Sequence, residues 1–122
     1  MRIGDTVAVT RSFTAAEVAD YVVLGGAPRP DGVLPEPLIG ALFSYLLGVK
    51  LPGQGTNYLK QQTEYPVQAP VGQPLTAQVT ITRLRPDQNL VDLETTCRSP
   101  DGTLLAKGRA LVYVADVAGK PW

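Results

Sequence analysis

The stretch from residue 37 to residue 47, PLIGALFSYLL, decides the fold of this chain. Proline suits the first turn of a helix because the N–H that it lacks would have no partner there, and Glu36 just before it complements the helix dipole. Apolar side chains then cover almost the whole circumference of the helix: Leu38, Ile39, Leu42, Phe43, Leu46 and Leu47. A helix that is apolar on most sides is buried, and Gly48 is expected to end it.

Alternation of apolar and polar residues with a period of two predicts four strands after this helix. The predicted ranges are 56–65, 75–84, 90–98 and 103–114, and a shorter strand is predicted over 6–12. Turn sequences at 86–89 and 99–102 make the last three strands a meander. The order of elements predicts an α+β fold in which an antiparallel sheet wraps around a central buried helix. One domain over residues 1–122 is expected for this length.

A second, shorter helix is predicted between the first strand and the buried helix. Residues 14–17, TAAE, form a capping box in which the Thr14 hydroxyl meets a free backbone N–H and Glu17 reaches back. The helix is expected to run to about Leu24, where Gly25 and Gly26 end it. Residues 27–35 contain three prolines and are therefore predicted to be an irregular loop.

The composition argues against several classes of partner. Eleven basic and eleven acidic residues give a formal net charge of zero, so neither nucleic acid nor an anionic membrane is an expected partner. The most apolar stretch, residues 38–51, is too short to cross a bilayer, and the N-terminus lacks the apolar run of a signal peptide. The single cysteine, Cys97, is expected to be a buried small hydrophobe and not a reactive thiol. A cytoplasmic protein is expected.

The chain contains no histidine. This absence excludes Ser-His-Asp and Cys-His nucleophilic machinery and the usual histidine-containing zinc sites. No metal and no other cofactor is expected. Catalysis would have to use carboxylates, tyrosines, amides, arginines, lysines or backbone groups.

Several motifs nevertheless point to one family. LPGQGT at residues 51–56 is followed by YLKQ at 58–61, and shorter matches are FT at 13–14, LFS at 42–44 and LLG at 46–48. With these motifs, residues from about 13 to 114 resemble the MaoC-like, (R)-specific enoyl-thioester hydratases. The resemblance implies a hot-dog fold, an acyl-thioester ligand, and a dimer whose sheets join edge to edge.

The loop that carries the chemistry of that family is altered here. In the family, an Asp and a His from an Asp-x-Asn-Pro-x-His loop add water to a 2-enoyl thioester or remove it from a 3-hydroxyacyl thioester. A glycine N–H at the start of the buried helix polarises the thioester carbonyl. The aligned loop positions hold Ala27, Arg29, Pro30 and Gly32, and the glycine falls on Glu36. The resemblance therefore implies a scaffold that has lost the hydratase Asp and His.

The remaining candidates for chemistry lie in and after the altered loop. Asp31 and Glu36 are candidate acid/base carboxylates, with a solvated turn residue and a helix N-cap as the simpler alternatives. Arg29 is a candidate for binding a carboxylate or phosphate, or else a loop arginine in solvent. Further ligand-binding candidates are Tyr45, Asn57, Tyr58, Gln61 and Tyr65, although each tyrosine could simply be packed.

Two functions compete, and whether the chain is an enzyme stays open at this point. One is a repurposed lyase, isomerase or cyclase that acts on an acyl or polyketide-like intermediate, which predicts a buried Asp31 or Glu36. The other is a non-catalytic acyl-thioester-binding subunit of a hetero-oligomeric hydratase or dehydratase. A residual hydratase that uses one carboxylate is a third, weaker hypothesis. The partner is a second hot-dog chain, identical or different, because an open edge strand is a liability. The tail that ends at Trp122 either docks on that partner or is loose.

Overall fold

The computed structural model of the protein describes residues 1–119 and Trp122. In chain order the described elements are β1 (Thr6–Arg11), α1 (Ala15–Val23), α2 (Glu36–Tyr45), a π-helical turn (Leu46–Lys50), β2 (Asn57–Glu64), β3 (Leu75–Arg85), a 3₁₀ turn (Pro86–Gln88), β4 (Leu90–Arg98) and β5 (Leu104–Tyr113). The predicted order is confirmed, with most boundaries within two residues. Lys120 and Pro121 of the tail lie outside the described residues. Trp122 is exposed, and its docking on a partner stays a prediction.

The described strands form one antiparallel sheet in the order β1-β3-β4-β5-β2. The predicted meander of the last three strands is confirmed, because β3 pairs with β4 and β4 with β5. β2 crosses to the far side and pairs with β5. In the described chain the other edge of β2 has no strand beside it.

One face of the sheet packs on α2. One side of the alternation along β3 and β4 is at most 1% exposed: Ala77, Val79, Ile81, Val91, Leu93, Thr95 and Cys97. The helix and its π-helical turn contribute Ile39, Leu42, Phe43, Leu46 and Leu47 to the same core. Full burial of each large apolar side chain contributes about 1.5–3 kcal/mol. The buried helix and the α+β fold are therefore as predicted.

The predicted end of α2 at Gly48 is wrong. The chain continues through Gly48 as a π-helical turn to Lys50, closed by a 2.8 Å hydrogen bond from the Leu51 N–H to the Leu46 carbonyl. A π-helical turn joins residues five apart, so the backbone stays paired while Leu46 remains fully buried. Gly48 does not take the positive φ with which glycine commonly ends a helix, so it forms no left-handed C-cap here.

Helix α1 is held at its first turn. The predicted capping box is confirmed: the Glu17 N–H donates to the Thr14 hydroxyl, and the Thr14 N–H donates to the Glu17 carboxylate, both at 3.1 Å. Arg11 of β1 pairs with Glu17 and lies 4.5 Å over the centre of the Phe13 ring. No residue of α1 is fully buried, so the helix lies against the domain without entering its core.

Candidate functional site

A cavity of about 120 Å³ lies at the start of α2 and is closed by the loop after β2. Its polar lining residues are Arg29, Glu36, Tyr65 and Gln68, and its apolar lining includes Val33, Leu34, Ile39 and Ala69. We call this space the Glu36 cavity. It brings together a carboxylate, a phenol and a guanidinium, which is a combination that can move a proton and bind an anionic oxygen.

The loop before α2 places Glu36 in this cavity. The Leu34 N–H donates to the Ala69 carbonyl at 2.8 Å, and Val33 forms a β-bridge with Pro70. Pro35 then takes the N-cap position in an extended conformation, and no side chain caps the helix. The N-cap interpretation of Glu36 is therefore wrong: Glu36 is the first helical residue, and its exposed side chain is available to a ligand.

Tyr65 is the tyrosine that the fold brings to this carboxylate. Burial raises the pKa of Tyr65, and the charges of Glu36 and then of Cys97 raise it further. Burial, followed by the charge of Tyr65, raises the pKa of Tyr58 to about 12. A phenol is protonated at neutral pH in any case, so each hydroxyl is able to donate a hydrogen bond to a ligand. Tyr58 does not line the Glu36 cavity, and its link to the site is the effect of the Tyr65 charge on its pKa.

A second, larger space of about 530 Å³ lies between α1 and the loop of residues 28–33. We call it the α1 groove. Arg29 lines both the groove and the Glu36 cavity, whereas Asp31 lines only the groove. Asp31 is exposed in a turn closed by a 3.1 Å hydrogen bond from the Val33 N–H to the Pro30 carbonyl. The two candidate carboxylates are thus in different spaces. Neither is buried in the single chain, where the repurposed-enzyme hypothesis expected a buried one.

Three other sequence candidates lie elsewhere. Tyr45 is the last residue of α2, is 43% exposed and lines neither space. The Asn57 amide donates to the Gly55 carbonyl and to the Asp116 carboxylate, both at 3.4 Å, and so holds the turn before β2. Gln61 lines a separate concavity of about 590 Å³, and its amide donates to the Thr63 hydroxyl at 3.1 Å.

Sequence reasoning missed two parts of the site. Gln68 lines the Glu36 cavity from an irregular segment that carries no periodic signal. The α1 groove was missed as well, although the spacing of Ala15, Val18, Ala19 and Val22 marks one side of a helix. That pattern was compatible with core packing, and only the fold shows that these residues face a groove.

The prediction that Cys97 is buried is confirmed. Its side chain is 0% exposed, and burial raises the pKa of the thiol to about 11. Within the described part of the chain, no three Cys, Asp or Glu residues are grouped so as to hold a metal ion. None of the helices in residues 1–119 is long and apolar enough to span a bilayer.

Comparison with curated proteins identifies similar sequences. The chain is 32% identical over 126 aligned positions to an (R)-specific enoyl-CoA hydratase of Aeromonas caviae, covering 92% of this chain and 94% of that protein. It is 35% identical over 77 positions to an (R)-specific enoyl-CoA hydratase of Rhodospirillum rubrum, covering 63% and 53% of the two chains. Models of known protein families give no match.

Solved structures agree with the sequence comparison. The (R)-hydratase from A. caviae involved in PHA biosynthesis superposes with a TM-score of 0.88 at 31% identity, over 93% of this chain and 97% of that one. The unliganded R-hydratase PhaJ1 from Pseudomonas aeruginosa gives a TM-score of 0.86 at 21% identity, over 100% and 91%, which shows the shared fold. The chain therefore has the hot-dog fold and belongs to the MaoC-like family that contains the (R)-specific enoyl-CoA hydratases.

Proposed function

We propose that this chain binds an acyl thioester or polyketide-like acyl intermediate at the Glu36 cavity and catalyses proton transfer on it. The reaction is of the lyase, isomerase or cyclase type and not the hydration that the family's Asp-His pair performs. The observation that carries the proposal is the shared cavity of the Glu36 carboxylate and the Tyr65 phenol in a chain without histidine. The similarity to an (R)-specific enoyl-CoA hydratase over 94% of that protein supports the thioester as ligand.

The proton transfer can be written with the groups present. The Glu36 carboxylate takes a proton from the carbon next to the thioester carbonyl, and the C–H electron pair moves toward the carbonyl oxygen. Tyr65, whose pKa is raised above its ordinary value, donates a hydrogen bond to that oxygen and stays protonated itself. Return of the proton to a different carbon completes an isomerisation, so no external reagent is required. General acid–base transfer of this kind contributes roughly 10²–10⁴-fold.

The start of α2 would stabilise negative charge on the same thioester carbonyl oxygen. The N-terminus of a helix carries a partial positive charge; Pro35 at the N-cap makes no side-chain hydrogen bond to it, and Glu36 is the acidic residue of its first turn. A backbone N–H at residue 36 occupies the position that the family resemblance gives to the carbonyl-polarising glycine. Fixed dipoles aimed at a developing negative charge are usually a large term in catalysis. Because Glu36 is neutral once it has taken the proton, the helix start then suits an enolate-like oxygen better than a neutral one.

The proposal includes a dimer in which a second hot-dog chain pairs with β2. Seven of the eight residues of β2 are exposed, and Tyr58 and Leu59 on this strand are 38% and 56% exposed. A second hot-dog chain beside β2 would pair its free backbone groups and cover Tyr58. That chain is either a second copy or a related hot-dog protein.

The test is the isomerisation of short 3-enoyl thioesters to 2-enoyl thioesters, followed by absorbance and by deuterium uptake from D₂O. We expect turnover in the wild type and a loss of roughly 10²–10⁴-fold in Glu36→Gln. Glu94→Gln is the matched control, because Glu94 is an exposed carboxylate outside the Glu36 cavity. Equal rates in the wild type and Glu36→Gln would overturn the proposal.

The same samples separate the alternatives. Hydration of 2-enoyl thioesters is measured in parallel by the loss of their absorbance, and we expect none. Hydration that collapses in Glu36→Gln or Asp31→Asn would instead indicate a residual hydratase. Isomerisation that collapses only in Asp31→Asn would move the acid/base role to the α1 groove.

One observation favours the second candidate function, a non-catalytic subunit of a hetero-oligomeric hydratase. Both Asp31 and Glu36 are exposed in the single chain, so neither shows the apolar burial that tunes a catalytic carboxylate. This function predicts that a hot-dog chain with the Asp and His co-purifies with this protein. It also predicts that the pair hydrates 2-enoyl thioesters at the same rate with wild type and with Glu36→Gln.

A further inference from the structure

We propose that the substrate at the Glu36 cavity is a 3-oxoacyl compound, and that Arg29 determines this specificity by binding the oxygen on carbon 3. The role of Glu36 as the base rests on the proposed function, whereas binding of the second oxygen by Arg29 requires no turnover. Tyr65 and Gln68, the other polar groups on this cavity, are then left for the thioester carbonyl oxygen.

Arg29 is a cation on the cavity whose charge no protein group takes up. Within residues 1–119 and Trp122 its guanidinium forms neither an ion pair nor a hydrogen bond, although the Glu36 carboxylate lines the same cavity. A guanidinium carries its N–H donors in a fixed planar fork, which matches a ligand whose negative charge is shared by two oxygens. Arg29 can therefore hold a second oxygen of the ligand, beyond the one that Tyr65 can hold.

The base on this cavity calls for an acidic carbon. Glu36 is an exposed carboxylate, and an exposed carboxylate is a weak base because burial is what strengthens it. A carbon next to a single thioester carbonyl is a very weak acid, so the two are poorly matched for proton transfer. A carbon between two carbonyl groups is a far stronger acid, because its conjugate base spreads the negative charge over two oxygens. The base that the chain offers therefore suits a substrate with a second carbonyl group at carbon 3.

The charges on the cavity favour a ketone over a carboxylate at that carbon. A carboxylate would bring a permanent negative charge to the cavity that Glu36 lines, and like charges repel. A ketone is neutral when it binds.

The charge then develops only as Glu36 loses its own. When the C–H bond at carbon 2 breaks, the proton goes to the Glu36 carboxylate and the electron pair is shared by the two carbonyl oxygens. The planar enolate carries one negative charge, which Arg29 and the start of α2 stabilise. Return of the proton to carbon 2 or to an enolate oxygen balances the step without an external reagent.

The size of the cavity limits what Arg29 and Glu36 can select. Its volume of about 120 Å³ is well below the roughly 300–1,000 Å³ of sites that enclose a drug-sized ligand. A space of this size admits the reacting carbons and their two oxygens. The specificity is therefore for the 3-oxoacyl unit and not for the rest of the substrate.

The experiment compares three thioesters of N-acetylcysteamine that differ at carbon 3: 3-oxobutanoyl, butanoyl and malonyl. Calorimetry on the full chain gives Kd for each. We expect the 3-oxobutanoyl thioester to bind about tenfold more tightly than either of the others, as for one added hydrogen bond to a charged donor. The near-ultraviolet absorbance band of its enolate should also grow on binding.

Two arginine variants assign the preference. Arg29→Gln should remove both the tighter binding of the 3-oxobutanoyl thioester and the growth of the enolate band. Arg83→Gln is the matched control, because Arg83 is an exposed arginine that does not line the Glu36 cavity. Equal effects of the two variants would overturn the inference.

Three results with the wild type alone would also overturn it: equal affinity for the 3-oxobutanoyl and butanoyl thioesters, tighter binding of the malonyl thioester, or binding of none of the three. These measurements do not depend on the folding of any variant. Failure of the proposed function is visible separately, because affinity and the enolate band are equilibrium quantities. A preference for the 3-oxobutanoyl thioester without Glu36-dependent isomerisation would leave the specificity of Arg29 standing, and isomerisation without that preference would remove the specificity alone.

Discussion

Glu36 lies close enough to Tyr65 for its negative charge to raise the pKa of the phenol, as the second contribution after the burial of that side chain. The two residues come from different parts of the fold, since Glu36 opens α2 and Tyr65 directly follows β2. They meet because the 33–34 segment is bonded to the 69–70 segment. A carboxylate and a phenol are thereby placed on one cavity.

Replacement of Glu36 by Gln should lower the pKa of Tyr65, because it removes a negative charge that disfavours the phenolate. Burial still holds that pKa above the ordinary value of a tyrosine. The shift can be measured by NMR titration of tyrosine labelled at Cζ, assigned through Tyr65→Phe. Glu94→Gln should leave the titration unchanged. A Tyr65 pKa that is the same in the wild type and in Glu36→Gln would contradict the electrostatic interaction between the two residues.

The stability of the fold should fall at alkaline pH because of Cys97. Its pKa is about 11 in the folded chain against an ordinary 9.0, so the unfolded chain loses the thiol proton first. The contribution is fully present below pH 9 and is lost as the pH rises through 11. A difference of two pKa units corresponds to about 3 kcal/mol. Urea unfolding at pH 8 to 11 should show this slope in the wild type and a flatter one in Cys97→Ala.

Ionisation of Tyr58 should cause a second loss of stability at higher pH than that of Cys97. Its pKa is about 12 in the folded chain against an ordinary 10.0, so this contribution fades between pH 10 and 12. Because Tyr58 is partly exposed, its effect should be smaller than that of Cys97. A steeper loss above pH 10 in Tyr58→Phe than in the wild type would contradict the sign of the effect.

Local signals predicted most of the fold. The capping box of Thr14 and Glu17 and the alternation along β4 depend only on neighbouring residues, and both agree with the structure. The end of α2 was wrong because the partner of the Leu51 N–H lies five residues back, a spacing that no residue type marks.

The site was harder to predict than the fold. A register shift between Tyr58 and Lys60 breaks the alternation of β2, and one extra residue changes which side chains share a face. Spacing alone therefore could not sort Asn57, Gln61 and Tyr65. The separation of Asp31 from Glu36 likewise depends on the long-range contact of residues 33–34 with 69–70, which no local pattern contains.

Gly108 on β5 should not tolerate a side chain. A Cβ at this position would lie 1.9 Å from the Gln62 carbonyl oxygen and 2.8 Å from the Thr63 Cα, both backbone atoms of β2. Gly108→Ala should therefore displace β2 and cost at least about 3 kcal/mol of unfolding free energy. Gly40 in α2 is the matched control, because a Cβ there meets nothing within 4 Å. Gly40→Ala should stabilise the protein by about 0.5–1 kcal/mol. Urea unfolding that ranks the two variants alike would contradict the close approach of β2 and β5.

Loss of the capping box should loosen α1 and leave the core intact. Thr14→Ala removes one of the two reciprocal bonds and should cost about 1 kcal/mol. Because no residue of α1 is fully buried, the cost should appear as faster amide exchange in residues 15–23. Exchange in β3 and β4 should stay at the wild-type rate. Ser12→Ala, outside the box, is the control. Equal acceleration in α1 and the sheet would show that α1 is part of the cooperative core.

The open edge of β2 should be covered in solution by a second hot-dog chain. Leu59 is 56% exposed at the register shift of this strand, and an unpaired edge strand invites pairing. The purified protein should have the mass of a dimer by light scattering.

Leu59→Lys would place a charge against the partner and should raise the dimer dissociation constant at least about tenfold, because an unpaired buried charge is costly. Ile3→Lys is the matched control, since Ile3 is 68% exposed and precedes β1 at the opposite edge of the sheet. If the wild-type protein is a monomer by itself, the partner of β2 would be a different hot-dog chain. If no such chain binds either, the prediction is wrong and β2 is an unpaired edge strand.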